Sequence, residues 1–156
     1  MQKVTPFLWF DHQAEEAAQF YVSVFPNSRI LEVNRYGDVG PRPKGSVMTV
    51  VFELDGQAFT ALNAGPQYRF NPAVSFMIDC ADQAEVDHYW SKLTAGGEEV
   101  ACGWLTDKYG LSWQVTPRRL IELVTSPDKA KANRAMEAMM RMKKIDIAAL
   151  ERAVKG

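Results

Sequence analysis

The sequence predicts an α+β fold of two βαβββ modules set around a shared cavity, followed by a C-terminal helical extension. Three observations carry this. The apolar period switches from alternation to 3.6 residues and back, and does so twice. The order strand, helix and three strands therefore occurs twice. Landmarks recur between the copies, Phe20-Tyr21 answering Tyr89-Trp90 at an offset of 69 residues and Gly56 answering Gly110 at an offset of 54, because the second copy lacks most of a Gly/Pro loop present in the first.

In the first copy, residues 4–10 (VTPFLWF) are dense in strand formers, and Pro6 assigns them to an edge or first-strand position. Ala14, Ala17, Ala18, Tyr21, Val24 and Phe25 form one helical stripe that Pro26 stops. Residues 30–33 read as a short strand, and residues 37–45, with three Gly and two Pro, as a loop. Residues 47–54 and 58–62 flank Asp55-Gly56, a two-residue hairpin signal because both central positions need positive φ.

In the second copy, residues 74–78 read as a strand, Asp82 as an N-cap, and Val86, Tyr89, Trp90 and Leu93 as the helical stripe before Gly96-Gly97. Residues 98–101, 104–107 and 111–116 supply three short strands, the last two joined by a polar hairpin at Lys108-Tyr109-Gly110. Beyond Pro117 two helices are expected, one striped by Ala132, Met136, Met139 and Met140, the other capped by Asp146 and carrying Ile147, Leu150 and Val154. The expected organisation is a single domain of paired modules over 1–126, about 1–66 and 67–126, with the extension over 127–156.

Composition narrows the function. With 47% of 156 residues apolar, the chain can build a core without staples, which excludes a disordered tail or a disulfide miniprotein. Eighteen Lys and Arg against nineteen Asp and Glu provide no global field for a polyanion or a charged bilayer, so neither nucleic acid nor membrane is an expected partner. The start, MQKVTPFLWFDH, lacks the order of a secretory signal, Cys80 and Cys102 form no CxxC pair and read as free thiols, and the expected location is cytoplasmic. From residue 127 on, eight basic residues stand against four acidic ones, so the tail is expected to lie on an acidic surface, its own or a partner subunit's.

A four-stranded βαβββ sheet buries one face under its own helix and leaves the other open. Two such faces can line a cavity, and the strands here carry apolar or small residues on both sides, as strands covered twice should. By strand alternation Phe7 and Trp9, Ser75 and Met77, and Gln114 are assigned to that cavity, with Thr5 and Asn63 as further neutral polar groups. Aromatic rings with a few neutral donors and acceptors suit binding of a small, partly apolar or aromatic molecule more than acid–base work. No Ser/His/Asp or Cys/His arrangement is readable, His12 and His88 read as surface residues, and no catalytic residue is assigned.

Several stretches are distinctive: TPFLWFDHQAEEAAQFYVSVFPNS at 5–28, ALNAGP at 61–66, NPAVSFMIDC at 71–80, CGWLTDKYGLSWQVTP at 102–117 and MMRMKKIDIAALERA at 139–153. In these the chain resembles the PhnB-like branch of the vicinal oxygen chelate superfamily, the group labelled 3-demethylubiquinone-9 3-methyltransferase-like, whose wider superfamily includes glyoxalase I, extradiol dioxygenases and bleomycin-resistance proteins. The resemblance implies a glyoxalase/bleomycin-resistance-like fold and a homodimer, to which the Met-bearing tail would contribute.

It also implies a place to look for metal. Superfamily enzymes hold a divalent ion with His and Glu at four inward strand positions, which fall here near Thr5, near Ala61 or Asn63, near Ala73, and at Gln114. None is a His or a carboxylate, so no metal and no cofactor are expected. The methyltransferase label implies S-adenosylmethionine, yet the chain after Phe10 reads DHQAEEA rather than a glycine-rich loop. The leading expectation is a metal-independent binding or sequestering protein. The competing ones are a transferase as the label says, a metal-dependent lyase, isomerase or dioxygenase, and a protein-interaction module working through the basic tail.

Overall fold

The computed structural model describes residues 2–156 and divides them after Phe70 into two compact units. The first holds β1 (Phe7–Phe10), α1 (Ala14–Val24), β2 (Arg29–Arg35), β3 (Val47–Leu54) and β4 (Gln57–Asn63), in a sheet of order β1-β4-β3-β2 with β1 parallel to β4. The second begins with β5 (Ser75–Cys80), α2 (Gln83–Thr94), β6 (Glu98–Glu99), β7 (Trp104–Thr106) and β8 (Ser112–Pro117), in the equivalent order β5-β8-β7-β6 with β5 parallel to β8. Both are βαβββ modules, so the repeat and the α+β class stand.

Local chemistry explains the boundaries. β1 starts three residues later than its composition suggests because Pro6 has no N–H to pair, and only its carbonyl joins the ladder by accepting from Thr60 N. Asp55 (φ 48°) and Gly56 (φ 85°) form the expected hairpin turn between β3 and β4. Helix α1 buries Ala14, Ala17, Ala18, Tyr21 and Val24 against Phe52 and its neighbours, and α2 buries Val86, Tyr89, Trp90 and Leu93 after an Asp82 cap on Glu85 N.

The C-terminal region differs from expectation in two ways. Three helices follow β8, not two: α3 (Arg118–Val124), α4 (Lys129–Met140) and α5 (Ile147–Lys155). The first is about two turns long, and its only stripe is Leu120 and Leu123, too short for a period to show. The stripe on α4 is also rotated: Ala135 is buried with Ala138 and Met139 beside it, whereas Met136 and Met140 are exposed.

Leu120, Leu123, Ala135, Ile145, Leu150 and Val154 give these helices a small core of their own, and they are part of the second unit. The α4–α5 connection is tied to the module by two backbone bonds, Cys102 N to Met142 O and Gly103 N to Lys143 O, both 2.8 Å. The Gln83 side chain donates to Ile145 O (3.0 Å) and accepts from Ile147 N (2.8 Å), and Lys144 pairs with Asp87. For Lys144, the acidic surface is on the same chain.

The hairpin between β7 and β8 has a different character from the solvated polar tip that its sequence suggests. Asp107 is 2% exposed and accepts three hydrogen bonds, from Tyr109 N (2.8 Å), Leu111 N (3.1 Å) and Trp113 Nε1 (2.9 Å). One carboxylate thus closes the turn and pins the indole of the following strand. The distinctive run CGWLTDKYGLSWQ is in large part this arrangement.

Candidate functional site

Strand register decides which side chains are free for function, because residues paired across a sheet share a face. In the first module, Leu8, Phe10, Phe59, Ala61, Asn63, Val50, Phe52 and Leu54 are buried on the side of α1. The other face consists of two main rows, Phe7-Thr60-Val51-Glu32 and Trp9-Leu62-Thr49-Asn34. In the second module Ile78, Cys80, Leu105, Trp113 and Val115 are buried on the side of α2. Its other face carries Ser75-Ser112-Thr106, Met77-Gln114-Trp104 and Asp79-Thr116.

Each open face has exposed apolar side chains beside satisfied polar ones. Phe7 is 60% and Met77 57% exposed. Trp9 is half-buried; its Nε1 donates to Gly65 O (2.9 Å), and its ring meets Tyr68 edge-to-face at 4.9 Å. Gly65, at φ 106°, turns the chain after β4 so that Tyr68 comes back onto Trp9. On the second module Gln114 Nε2 donates to Ser75 Oγ (2.9 Å), and Arg118 pairs with Asp79 at 2.8 Å.

The seven residues singled out from sequence therefore divide. Phe7 and Trp9 share one open face, and Ser75, Met77 and Gln114 share the other. Thr5 precedes β1 and is exposed. Asn63 does not join Phe7 and Trp9, because its register partner is Phe10 and it is buried beneath α1. There its Oδ1 accepts from Ala14 N (2.8 Å) and its Nδ2 donates to Val47 O (3.2 Å). The side chain caps the helix, a task that Gln13, the residue before the helix, does not perform. Strand alternation puts Phe59, Ala61 and Asn63 on one side of β4, but only pairing shows which side that is. Tyr68 was missed; its signal is weak, a lone aromatic after the Gly65-Pro66 turn.

The donor set does not fit a divalent metal of the glyoxalase type. On β4 the open-face residues are Ala58, Thr60 and Leu62, so correcting the face still yields no ligand there. Gln114, whose Nε2 donates to Ser75 Oγ, would offer only a neutral amide oxygen, and among the described residues no three His, Cys, Asp or Glu converge. Of the open-face carboxylates, Glu53 and Asp79 are each paired with an arginine, Arg29 and Arg118. Glu32 and Glu98 stand on the outermost strands, β2 and β6, at the far ends of their rows. Cys80 is no ready nucleophile: burial pushes its thiol up to about 12, with Glu85 and Asp79 adding repulsion of its anion. His12 lies beside Asp11 at 3.5 Å and His88 against Tyr89, both at exposed positions.

Family comparison agrees with this architecture. The profile of the 3-demethylubiquinone-9 3-methyltransferase family matches residues 2–116, both modules nearly complete. The chain belongs to this family. A solved family structure, described as a putative 3-demethylubiquinone-9 3-methyltransferase, PhnB protein, from Bacillus cereus, is 38% identical over 74% of this chain and 99% of its own, with a TM-score of 0.68.

Protein PA1353 from Pseudomonas aeruginosa shares the fold at 20% identity, covering 75% of this chain and 98% of its own, with a TM-score of 0.64. The fosfomycin resistance protein FosX from Listeria monocytogenes does so at 12% identity, 75% and 93% coverage, and a TM-score of 0.51. These likenesses show the fold alone, two βαβββ modules in one chain. No curated protein matches the chain. The family match ends at residue 116, before α3, so the helices α3–α5 lie outside what it covers.

Proposed function

We propose that this family member is a metal-independent protein that binds a small, partly apolar molecule on an open sheet face. The observation that carries the reading is the composition of the open faces: exposed Phe7 and Met77, half-buried Trp9, and a neutral Gln114–Ser75 pair, with Glu53 and Asp79 neutralised by arginines. Such a surface holds and orients a ligand through apolar area and a few hydrogen bonds. Among the described residues no three His, Cys, Asp or Glu converge there, and Glu32 and Glu98 stand on the outermost strands.

The methyltransferase in the family name finds little support in this chain. Between Phe10 and Ala14 the turn is three residues long, without glycine, and the first free N–H of α1 is already taken by Asn63. The sheet has one parallel pair and is otherwise antiparallel, unlike the doubly wound sheet that commonly carries S-adenosylmethionine. Homodimerisation follows from the superfamily resemblance, and a cytoplasmic location suits the two free thiols.

The test has three arms on protein purified without chelator: metal content per chain, calorimetry with S-adenosylmethionine, and a thermal-shift screen of small aromatic and amphipathic compounds. The reading expects no retained metal, no S-adenosylmethionine heat, and screen hits weakened by Met77→Ala or Gln114→Leu. Stoichiometric metal that survives desalting, or S-adenosylmethionine binding tighter than every screen hit, overturns it in favour of an enzyme.

A further inference from the structure

We propose that the open face of the first module takes one flat, neutral, conjugated ring, slotted between the side chains of Phe7 and Trp9. The inference rests on the small-molecule reading above and names the chemistry of its ligand. Phe7 and Trp9 are two residues apart on β1 and point to the same side. Two residues of strand span about 6.6 Å. A flat ring that touches two others at carbon contact distance needs about 7 Å. A puckered saturated ring of the same carbon count is too thick for that spacing.

The surroundings favour a neutral ring. Trp9 has already spent its only donor on Gly65 O, so it offers a ligand its π face alone. Tyr68 braces the indole edge-to-face, and Phe7, largely exposed, makes no ring contact among the described residues. Across β4 and β3 from this pair lie Thr60 and Leu62, then Val51 and Thr49, none of them charged, and the acidic residue of the Phe7 row, Glu32, stands on the outermost strand β2. Asp11, two residues past Trp9, would be the counter-charge for an organic cation, but it faces Arg42 at 3.6 Å and His12 at 3.5 Å. An aromatic site without free charge prefers an arene to an ammonium group.

The experiment compares 2-naphthol with decahydro-2-naphthol, equal in carbon count and hydroxyl but flat in one and puckered in the other, and with benzyltrimethylammonium. Binding to the full chain is followed by calorimetry and by quenching of tryptophan fluorescence. The expected result is that 2-naphthol binds about tenfold tighter than either of the others, and that Phe7→Leu and Trp9→Leu each weaken it about tenfold. Phe7→Leu guards against a folding artefact, since Phe7 is largely exposed. Equal binding of the saturated alcohol, tighter binding of the cation, indifference to both leucine variants, or no binding of 2-naphthol each overturns the ring slot. Screen hits that still respond to Gln114→Leu in those cases leave the broader function standing, so the two failures are distinguishable.

Discussion

Asp107 gives the sharpest test of how this fold is held. Replacing it with alanine removes the common acceptor of two backbone N–H groups and the Trp113 indole, all three in a region only 2% exposed at Asp107. Hydrogen bonds to a charged group contribute about 1.5–3 kcal/mol each, and part of that sum is returned because a buried carboxylate no longer has to be desolvated. A net loss of about 3–4 kcal/mol follows, or a fall in melting temperature of about 6–16 °C for a chain of this size.

Asp107→Asn is the more informative change. Its Oδ1 can keep the Tyr109 and Leu111 bonds, but its Nδ2 then opposes the Trp113 Nε1–H, donor against donor. We expect it to cost about 2 kcal/mol, and to cost less in a Trp113→Phe background, where the opposing donor is gone. Urea unfolding of the four proteins in the cycle, read as midpoints at constant slope, measures this coupling. If Asp107→Ala melts within about 2 °C of the parent, or if the Asn substitution costs as much in the Trp113→Phe background as in the parent, the assignment of Asp107 as the organiser of the hairpin is wrong.

Four further outcomes follow from the same geometry. Asn63→Ala leaves Ala14 N and Val47 O without their partner and should destabilise the protein by about 2 kcal/mol, seen as a lower thermal midpoint, without affecting ligands on the opposite face. Gly97→Ala puts a methyl 2.1 Å from Thr106 O, so the exit of α2 must move away from β7; the variant should lose cooperative unfolding or melt well below the parent. In a Cys102→Ser background Cys80 should resist thiol reagents at pH 8 until denaturant is added; because its folded pKa is the higher one, its contribution to stability should fade as pH rises from about 9 to about 12. Asp87, whose acidity the Lys144 and Gln83 contacts strengthen, works in the opposite direction: its small contribution holds above about pH 4 and is lost as pH falls further, so Asp87→Asn should flatten the acid limb of a stability profile.

How much of this was legible in the chain depends on how local each cause is. The hairpin at Asp55-Gly56, the Asp82 cap and the stripes of α1 and α2 are set by neighbours within a few residues, and all appear where the sequence puts them. The buried roles of Asn63 and Asp107 escape the sequence pattern for the same physical reason. Each is a polar residue in or beside a strand whose partner lies on another element, or several residues further on in the hairpin, and periodicity carries no information about such a partner. The face of β4 shows the limit most clearly: alternation divides its residues into two sets, but only the pairing of β4 with β1 and β3 says which set meets Ala14 and Tyr21.

The two modules also show where chemistry is free to vary in this fold. Their registers correspond, Phe7 opposite Thr60 as Met77 is opposite Gln114, and Trp9 opposite Leu62 as Asp79 is opposite Thr116. The scaffold is thus repeated row for row while the open-face side chains are not: at these positions the first module presents Phe7 and Trp9, the second an amide–hydroxyl pair and the Asp79–Arg118 ion pair. Positions such as Asn63 and Asp107 cannot change without exposing backbone donors that nothing else satisfies. Open-face positions can, because their side chains support no helix end and close no turn. Substitutions can therefore accumulate in those rows without unmaking the scaffold, and each module's open face can diversify by itself.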